Sequence, residues 1–262
     1  MAAEAAGLAS RSYGTVTSAV PADRARLRNQ GALLKEVREL LTLSRGYGME
    51  SVRQRAMSTA ETVSASLSEV VDNSALELVV DLRLAFGRLL AALGANERAE
   101  KEHLDTAELS LSQGWTETAC AALALASHAA QARGDSASSG RVWRQCREAM
   151  ESWPMNRPGE RCGILVDAVG DPLVAVQVLS ALAEVLVDGV EEDHSRAPII
   201  REIISRASEQ ASRCVSPPQG AVESLARVEE RIAPYGRGRG RRRRPGSTTT
   251  ITTDGRAGSV VD

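Results

Sequence analysis

Aromatic side chains are scarce in this chain: they make up 3% of its 262 residues, and Phe86 is the single phenylalanine. Strands favour aromatic and β-branched residues, whereas Ala and Leu, which dominate the apolar residues here with Val, are the strongest helix formers. The shortage weighs against a sheet-built fold and for closely packed helices. Cysteine is also sparse. Cys120, Cys146, Cys162 and Cys214 show no CxxC pairing and no regular spacing, which argues against a disulfide framework or a zinc module. They read instead as free thiols serving as small apolar residues in a reducing cytoplasmic or nuclear setting. Met1–Leu8 is Ala-rich but short, carries an acid and no basic side chain, and so does not read as a signal peptide. No apolar run approaches the roughly 18 residues that would span a bilayer.

Chemistry is equally thin. The chain contains no GxSxG, HExxH, Walker-type loop or GxGxxG opening a helix. Its three histidines are scattered. His194 follows Glu191-Glu192-Asp193, but adjacent positions in one loop seldom converge on a single metal, so this stretch reads as a solvated acidic loop. His103, within Glu100-Lys101-Glu102-His103, is expected on an exposed helix face, and His128 lies in an Ala-rich helix. No catalytic residue, metal ligand or cofactor site is assigned, and the chain is read as a non-enzyme. An all-α enzyme with dispersed residues ranks third among the functional readings.

What is present is helical periodicity. Residues 1–21 form a flexible lead-in. Pro21-Ala22-Asp23 starts a helix whose apolar face runs through Leu27, Leu33, Leu34, Val37, Leu40 and Leu41 to about Leu43, with Gly46-Tyr47-Gly48 as its break. A second helix is expected from Met49 to Val71, and a third from Ala75 to Leu93. The third is apolar on nearly every side and so central in its domain. Helices follow at Glu97–Leu111, Thr116–Arg133 and Ser136–Glu151. Trp153 to Gly159 reads as a loop and a boundary. Arg161–Val169 reads as a short helix or a strand. Leu173–Val187 follows the Asp171-Pro172 start signal, and helices at about Pro198–Arg213 and Ala221–Ile232 complete the body. The fold class is all-α, with roughly nine helices. The organisation divides into a helical domain over 22–154, a helical continuation or cap over 155–234, and a basic tail over 235–262.

Two segments forty residues apart align: Phe86-Gly87-x-x-Leu90-x-x-x-Gly94-x-x-x-x-Ala99 and Ala126-Ser127-x-x-Ala130-x-x-x-Gly134-x-x-x-x-Ser139. In a helical hairpin the two small positions would face each other and let the backbones touch, and the glycine would close the first helix in the left-handed region. Trp143, one turn beyond Ser139, would fill the groove alongside. Over residues 75–154 the chain resembles the tetratricopeptide repeat in its order of small residue, glycine, small residue and bulky residue. Gly87, Gly94, Ala99 and His103 stand in those places first, then Ser127, Gly134, Ser139 and Trp143. The spacing is 40 rather than about 34 residues, and the family's early Trp is absent. The closing Pro is missing from the first unit and displaced to Pro154 in the second. The resemblance implies a solenoid of hairpins with a concave groove for peptides or partner helices and no chemistry of its own. An irregular bundle is the other architecture compatible with the pattern.

Charge is distributed unevenly. The formal net charge is −2, but the tail from Tyr235 carries +5 and the body −7. Arg237, Arg239, Arg241, Arg242, Arg243 and Arg244 place six guanidinium groups in eight residues, a run that repulsion and interleaved Gly are expected to keep unfolded. Such a run suits nucleic-acid phosphates without base specificity, a nuclear-import signal, docking on an acidic partner or membrane surface, or simple solubilisation. Phosphorylation of Ser247–Thr250, Thr252 or Thr253 would lower its charge. The sequence therefore points to a scaffold or adaptor whose body engages a protein and whose tail attaches to RNA, DNA or another acidic partner. A self-assembling nucleic-acid-packaging protein, of viral core or nucleocapsid type, is the rival reading.

Overall fold

The computed structural model describes residues 21–68 and 76–235. The arginine run and the hydroxyl cluster beyond it lie outside the described residues. The architecture is all-α. Ten α-helices are present among the described residues, in the order α1 Pro21–Tyr47, α2 Arg53–Ser68, α3 Leu76–Ala92, α4 Asn96–Ser112, α5 Thr116–Ala132, α6 Ser136–Glu151, α7 Pro158–Val169, α8 Pro172–Val187, α9 Arg196–Ser212 and α10 Gln219–Ile232. Short 3₁₀ turns at Met49–Val52 and Ala233–Tyr235 accompany them.

Three consecutive connections share one construction. Gly94, Gly114 and Gly134 have φ of 83°, 72° and 85°, a region that a Cβ would penalise. At each, the glycine N–H donates three residues back, to Ala91, Leu111 and Gln131. The next N–H (Ala95, Trp115, Asp135) donates five residues back, to Leu90, Ser110 and Ala130, at 2.9–3.0 Å. This pair of bonds is the Schellman arrangement, which satisfies carbonyls left over at a helix end. The carbonyls of Ala95, Trp115 and Asp135 then accept the first bond of the following helix, from Ala99, Ala119 and Ser139. One residue thus ends one helix and begins the next, so α3 to α6 fold as antiparallel neighbours on three-residue links.

Some boundaries differ from the periodicity. Helix α1 continues through Gly46, and the break falls at Gly48, whose φ is 83°. The expected helix from Met49 opens as a 3₁₀ turn before α2 begins. Arg161–Val169 belongs to a helix, α7, with Pro158 in its first turn, where a missing N–H costs nothing. That segment accounts for the tenth helix.

The core falls into two apolar clusters separated by α3. One face of α3 (Leu78, Val79, Leu82, Phe86, Leu89) packs with Leu33, Leu34, Val37 and Leu40 of α1 and Ala56, Ala60 and Val63 of α2. Val80 and Leu84 belong to the other cluster, built mainly from α5, α7, α8 and α9. A helix that is apolar all round suits this shared-wall position. Helices α5 and α8 are the most enclosed, with 14 of 17 and 11 of 16 residues buried, and they carry the second core through Met150 and Trp153 into α7. Two arginines bind the clusters together. Arg88 donates to the Val169 carbonyl at 3.2 Å and Arg45 to the Gly170 carbonyl, which places cations on the negative C-terminal end of α7. Burial, with the charges of Arg45 and Arg38, lowers the Arg88 guanidinium to about 10.

Candidate interaction groove

The α5–α6 hairpin brings Ser127 against Ser139. The Ser127 hydroxyl donates to the Ser139 carbonyl at 3.0 Å, and the two hydroxyl oxygens lie 3.0 Å apart. Further along the same antiparallel register, the Cys146 thiol donates to the Cys120 carbonyl at 3.4 Å. Contacts at this range require small side chains at the seam, which α5 supplies from Ala119 to Ala130. In the α3–α4 hairpin Gly87 occupies the corresponding place. A Cβ built there would stand 2.7 Å from His103 Nε2 and 2.8 Å from its Nδ1. Ala99 is fully buried beside it.

His103 is therefore not on an exposed face, as the flanking Glu-Lys-Glu implied. It is 1% exposed, and its Nδ1 is buried without a hydrogen-bond partner. Burial, with the charge of Arg88, lowers its pKa to about 3, so the ring is neutral. Besides Ala99 and Ala107, the rest of the α4 inner face is also polar. Thr106 donates to the Glu102 carbonyl at 2.6 Å and Ser110 to Thr106 at 2.8 Å, so each hydroxyl is satisfied within its own helix. Glu100, 7% exposed, accepts from Arg133 and from the Ser138 hydroxyl, both at 2.7 Å, and ties the ends of three helices together.

Beside the Ser127–Ser139 seam lies a groove of about 460 Å³ between α5, α6, α8 and α10. Its wall on α6 includes Ser139, Gly140 and Trp143, the last half-buried and packed against the core at its base. Ser180 and Ala181 of α8 and Gly220 and Ala221 of α10 line the opposite side. Helices α8 and α10 run parallel there, since Ser180 donates to the Ala221 carbonyl at 3.1 Å and Ser224 donates to Glu184. Small residues on all four helices leave the space open. At Gly140 and Gly220 an added Cβ would meet nothing within 4 Å.

The charged end of the groove is Glu184. Arg147 donates to it at 2.9 Å and Arg227 stands 4.0 Å away. Partial burial pushes this carboxyl up, but the hydrogen bonds from Ser224 and Arg147 and the two positive charges outweigh burial and hold it below the usual range. Arg147 and Glu184 balance within the lining, and Arg227, outside it at the rim, adds one positive charge at this end.

Seven residues were expected from sequence to shape the hairpins. The structure brings Ser127, Ser139 and Trp143 into the groove and Gly87 and Ala99 into the neighbouring seam, and it sets Gly94 and Gly134 at the turns. Arg147, Glu184 and Ser224 went unread. Their meeting joins helices whose residues are 37 and 40 apart in sequence. The signal available was the run of small residues at Ser180-Ala181 and Gly220-Ala221. His194 sits in an exposed loop, its Nδ1 2.9 Å from the Val190 carbonyl and its ring 4.7 Å from that of Tyr235. Among the described residues no group of three or more His, Cys, Asp or Glu could hold a metal ion, and no helix is long and apolar enough to cross a membrane. The chain matches no protein-family model, no curated protein and no solved structure.

Proposed function

We propose that this chain is a non-enzymatic interaction scaffold of tetratricopeptide-like hairpins, acting as an adaptor in the cytoplasm or nucleus. The body holds a segment of a protein partner in the groove between α5, α6, α8 and α10. The arginine run from Arg237 to Arg244 attaches the complex to nucleic acid or another polyanion. The observation that carries this reading is the groove itself. It is lined by small residues and hydroxyls, it has one indole on its wall, and its side chains converge on no reactive constellation. A surface of that kind holds a chain by shape and backbone hydrogen bonds.

Three proteins test it by co-purification: the full-length chain, a chain ending at Pro234, and the full-length Gly140→Leu variant, which fills the groove where space is open. The Pro234 truncation is expected to lose nucleic acid and keep its protein partner, and Gly140→Leu to do the reverse. If both variants keep everything, the division of labour between body and tail is wrong. Large assemblies that form only with nucleic acid would favour the packaging role instead.

A further inference from the structure

We infer that the groove takes an extended peptide segment bearing acidic side chains. This rests on the scaffold reading above and specifies the ligand of the same site. Length and charge argue for it. The wall on α6 runs from Ser136 to Arg147, eleven residue steps. At about 1.5 Å per residue that is roughly 16 Å, the span of about five residues of extended chain at about 3.3 Å each. A volume of about 460 Å³ suits such a segment and is well below the roughly 1,200 Å³ that a partner helix about 10 Å across would fill over the same length.

The lining is poor in large aliphatic side chains, so a ligand held by apolar anchors alone would find one broad contact, the Trp143 indole. Polar groups are plentiful and include uncommitted ones. Gln131 and His128 at one end and Gln177 on α8 make no side-chain hydrogen bond within the described structure, and they can meet the amides of an extended backbone. At the other end Arg147 and Arg227 share the single carboxylate of Glu184. Arg227 is 74% exposed and so free to turn towards a ligand carboxylate. The start of α10 adds to the same sign, because no side chain caps it and Gly220 belongs to the groove lining. An acidic segment completes this charge distribution, and a basic one opposes it. The chain's own arginine run is therefore not the occupant, and the groove and the tail address different partners.

The experiment uses the full-length chain and three fluorescein-labelled heptapeptide pools, with alternate positions fixed as Glu, Gln or Lys and the others random, read by anisotropy. The Glu pool is expected to bind at least tenfold tighter than the Gln pool, and the Lys pool weakest. Arg227→Glu should remove most of the Glu-over-Gln preference. Gly140→Leu, whose Cβ meets nothing within 4 Å, should abolish binding of all pools while leaving Tm unchanged or raised. Arg53→Glu, on the far side of the body, should change nothing. Equal affinity for the Glu and Gln pools, or a preference unmoved by Arg227→Glu, overturns the acidic ligand. If such binding is still lost in Gly140→Leu, the scaffold reading survives that failure. Binding of no pool, or binding indifferent to Gly140→Leu, overturns both.

Discussion

The contact between Gly87 and His103 gives the sharpest quantitative test of the packing. Gly87 lies mid-helix in α3 and is buried, and Gly→Ala at such a position normally gains roughly 0.5–1 kcal/mol from helix propensity. Here the new methyl would stand 2.7 Å and 2.8 Å from two ring nitrogens of His103, where ordinary contact begins at 3.4 Å. Its Cε1 would be closer still, so the ring must retreat by about 1 Å, and at 1% exposure it is enclosed by neighbours at close-packed density. Overpacking of this kind costs about 1–3 kcal/mol, so Gly87→Ala is expected to destabilise by a net ~1–2 kcal/mol. With the ring removed, the sign should invert. In a His103→Ala background the methyl enters the vacated space and the propensity gain returns, so Gly87→Ala should stabilise by about 0.5–1 kcal/mol. Urea denaturation of the four proteins, followed by far-UV circular dichroism, gives the cycle. The expected coupling is about 2 kcal/mol, and linearity with unchanged m-values would show that the folded state is being compared. Neutral Gly87→Ala, with coupling below about 0.5 kcal/mol, would refute the claim that a close glycine–histidine contact sets the α3–α4 spacing.

Three further outcomes follow from buried groups. His103 is held at about 3 when folded against 6.5 when exposed, so below pH 6.5 the unfolded chain binds a proton that the folded chain refuses. Stability is thus present above pH 6.5 and falls by about 1.4 kcal/mol per unit towards pH 3, to a ceiling near 5 kcal/mol. The drop in Tm between pH 7 and pH 5 should be smaller in His103→Ala than in the wild type, and equal drops would refute it. Cys120, Cys146 and Cys162 are fully buried, with Cys162 pushed up to about 12 by desolvation and by Glu202, whereas Cys214 is half-buried. Titration with a thiol-reactive disulfide should modify one thiol per native chain promptly and four in urea, and a second prompt thiol would contradict the packing. Glu100→Ala strips the acceptor from Arg133 and Ser138 and should cost about 2 kcal/mol, while Glu100→Gln should cost less because Ser138 keeps an acceptor. Equal losses would show that the hydrogen bond to Ser138 contributes nothing.

The fold class was legible because helix propensity and periodicity agree over most of the described chain, and the turns at Gly94 and Gly134 were legible because a left-handed residue needs glycine. The inner face of α4 was misread for a physical reason. Ala99, Glu100, His103, Thr106 and Ser110 are buried at helical spacing, yet by composition they look like a solvated face. Thr106 and Ser110 bond to their own helix, Glu100 finds Arg133 and Ser138, and His103 fits because Gly87 lacks a side chain. The partners of Glu100 and His103 lie on other elements and do not follow from local pattern. The groove was half legible: hairpin register places Ser127, Ser139 and Trp143 near one another, but α8 and α10 arrive through tertiary packing that no short-range spacing encodes.

The two proposed attachments differ in how salt should act on them, and this separates them in one experiment. Counterion release makes binding of the arginine run to duplex nucleic acid fall with salt at a slope near −0.9 per phosphate contacted. If all six arginines from Arg237 to Arg244 engage, affinity should drop roughly 10³-fold between 50 and 200 mM salt. The groove is a local field on a body of net charge −7. At low salt the body repels an acidic segment over long range while Arg147 and Arg227 attract it over short range. Raising salt to 0.15 M shortens the Debye length to about 8 Å, which removes the repulsion first and weakens the close contacts less. Groove binding should therefore change by less than about tenfold over the same salt range. An acidic peptide whose affinity collapses as steeply as that of duplex DNA would be bound by the tail, and truncation at Pro234 would then abolish it.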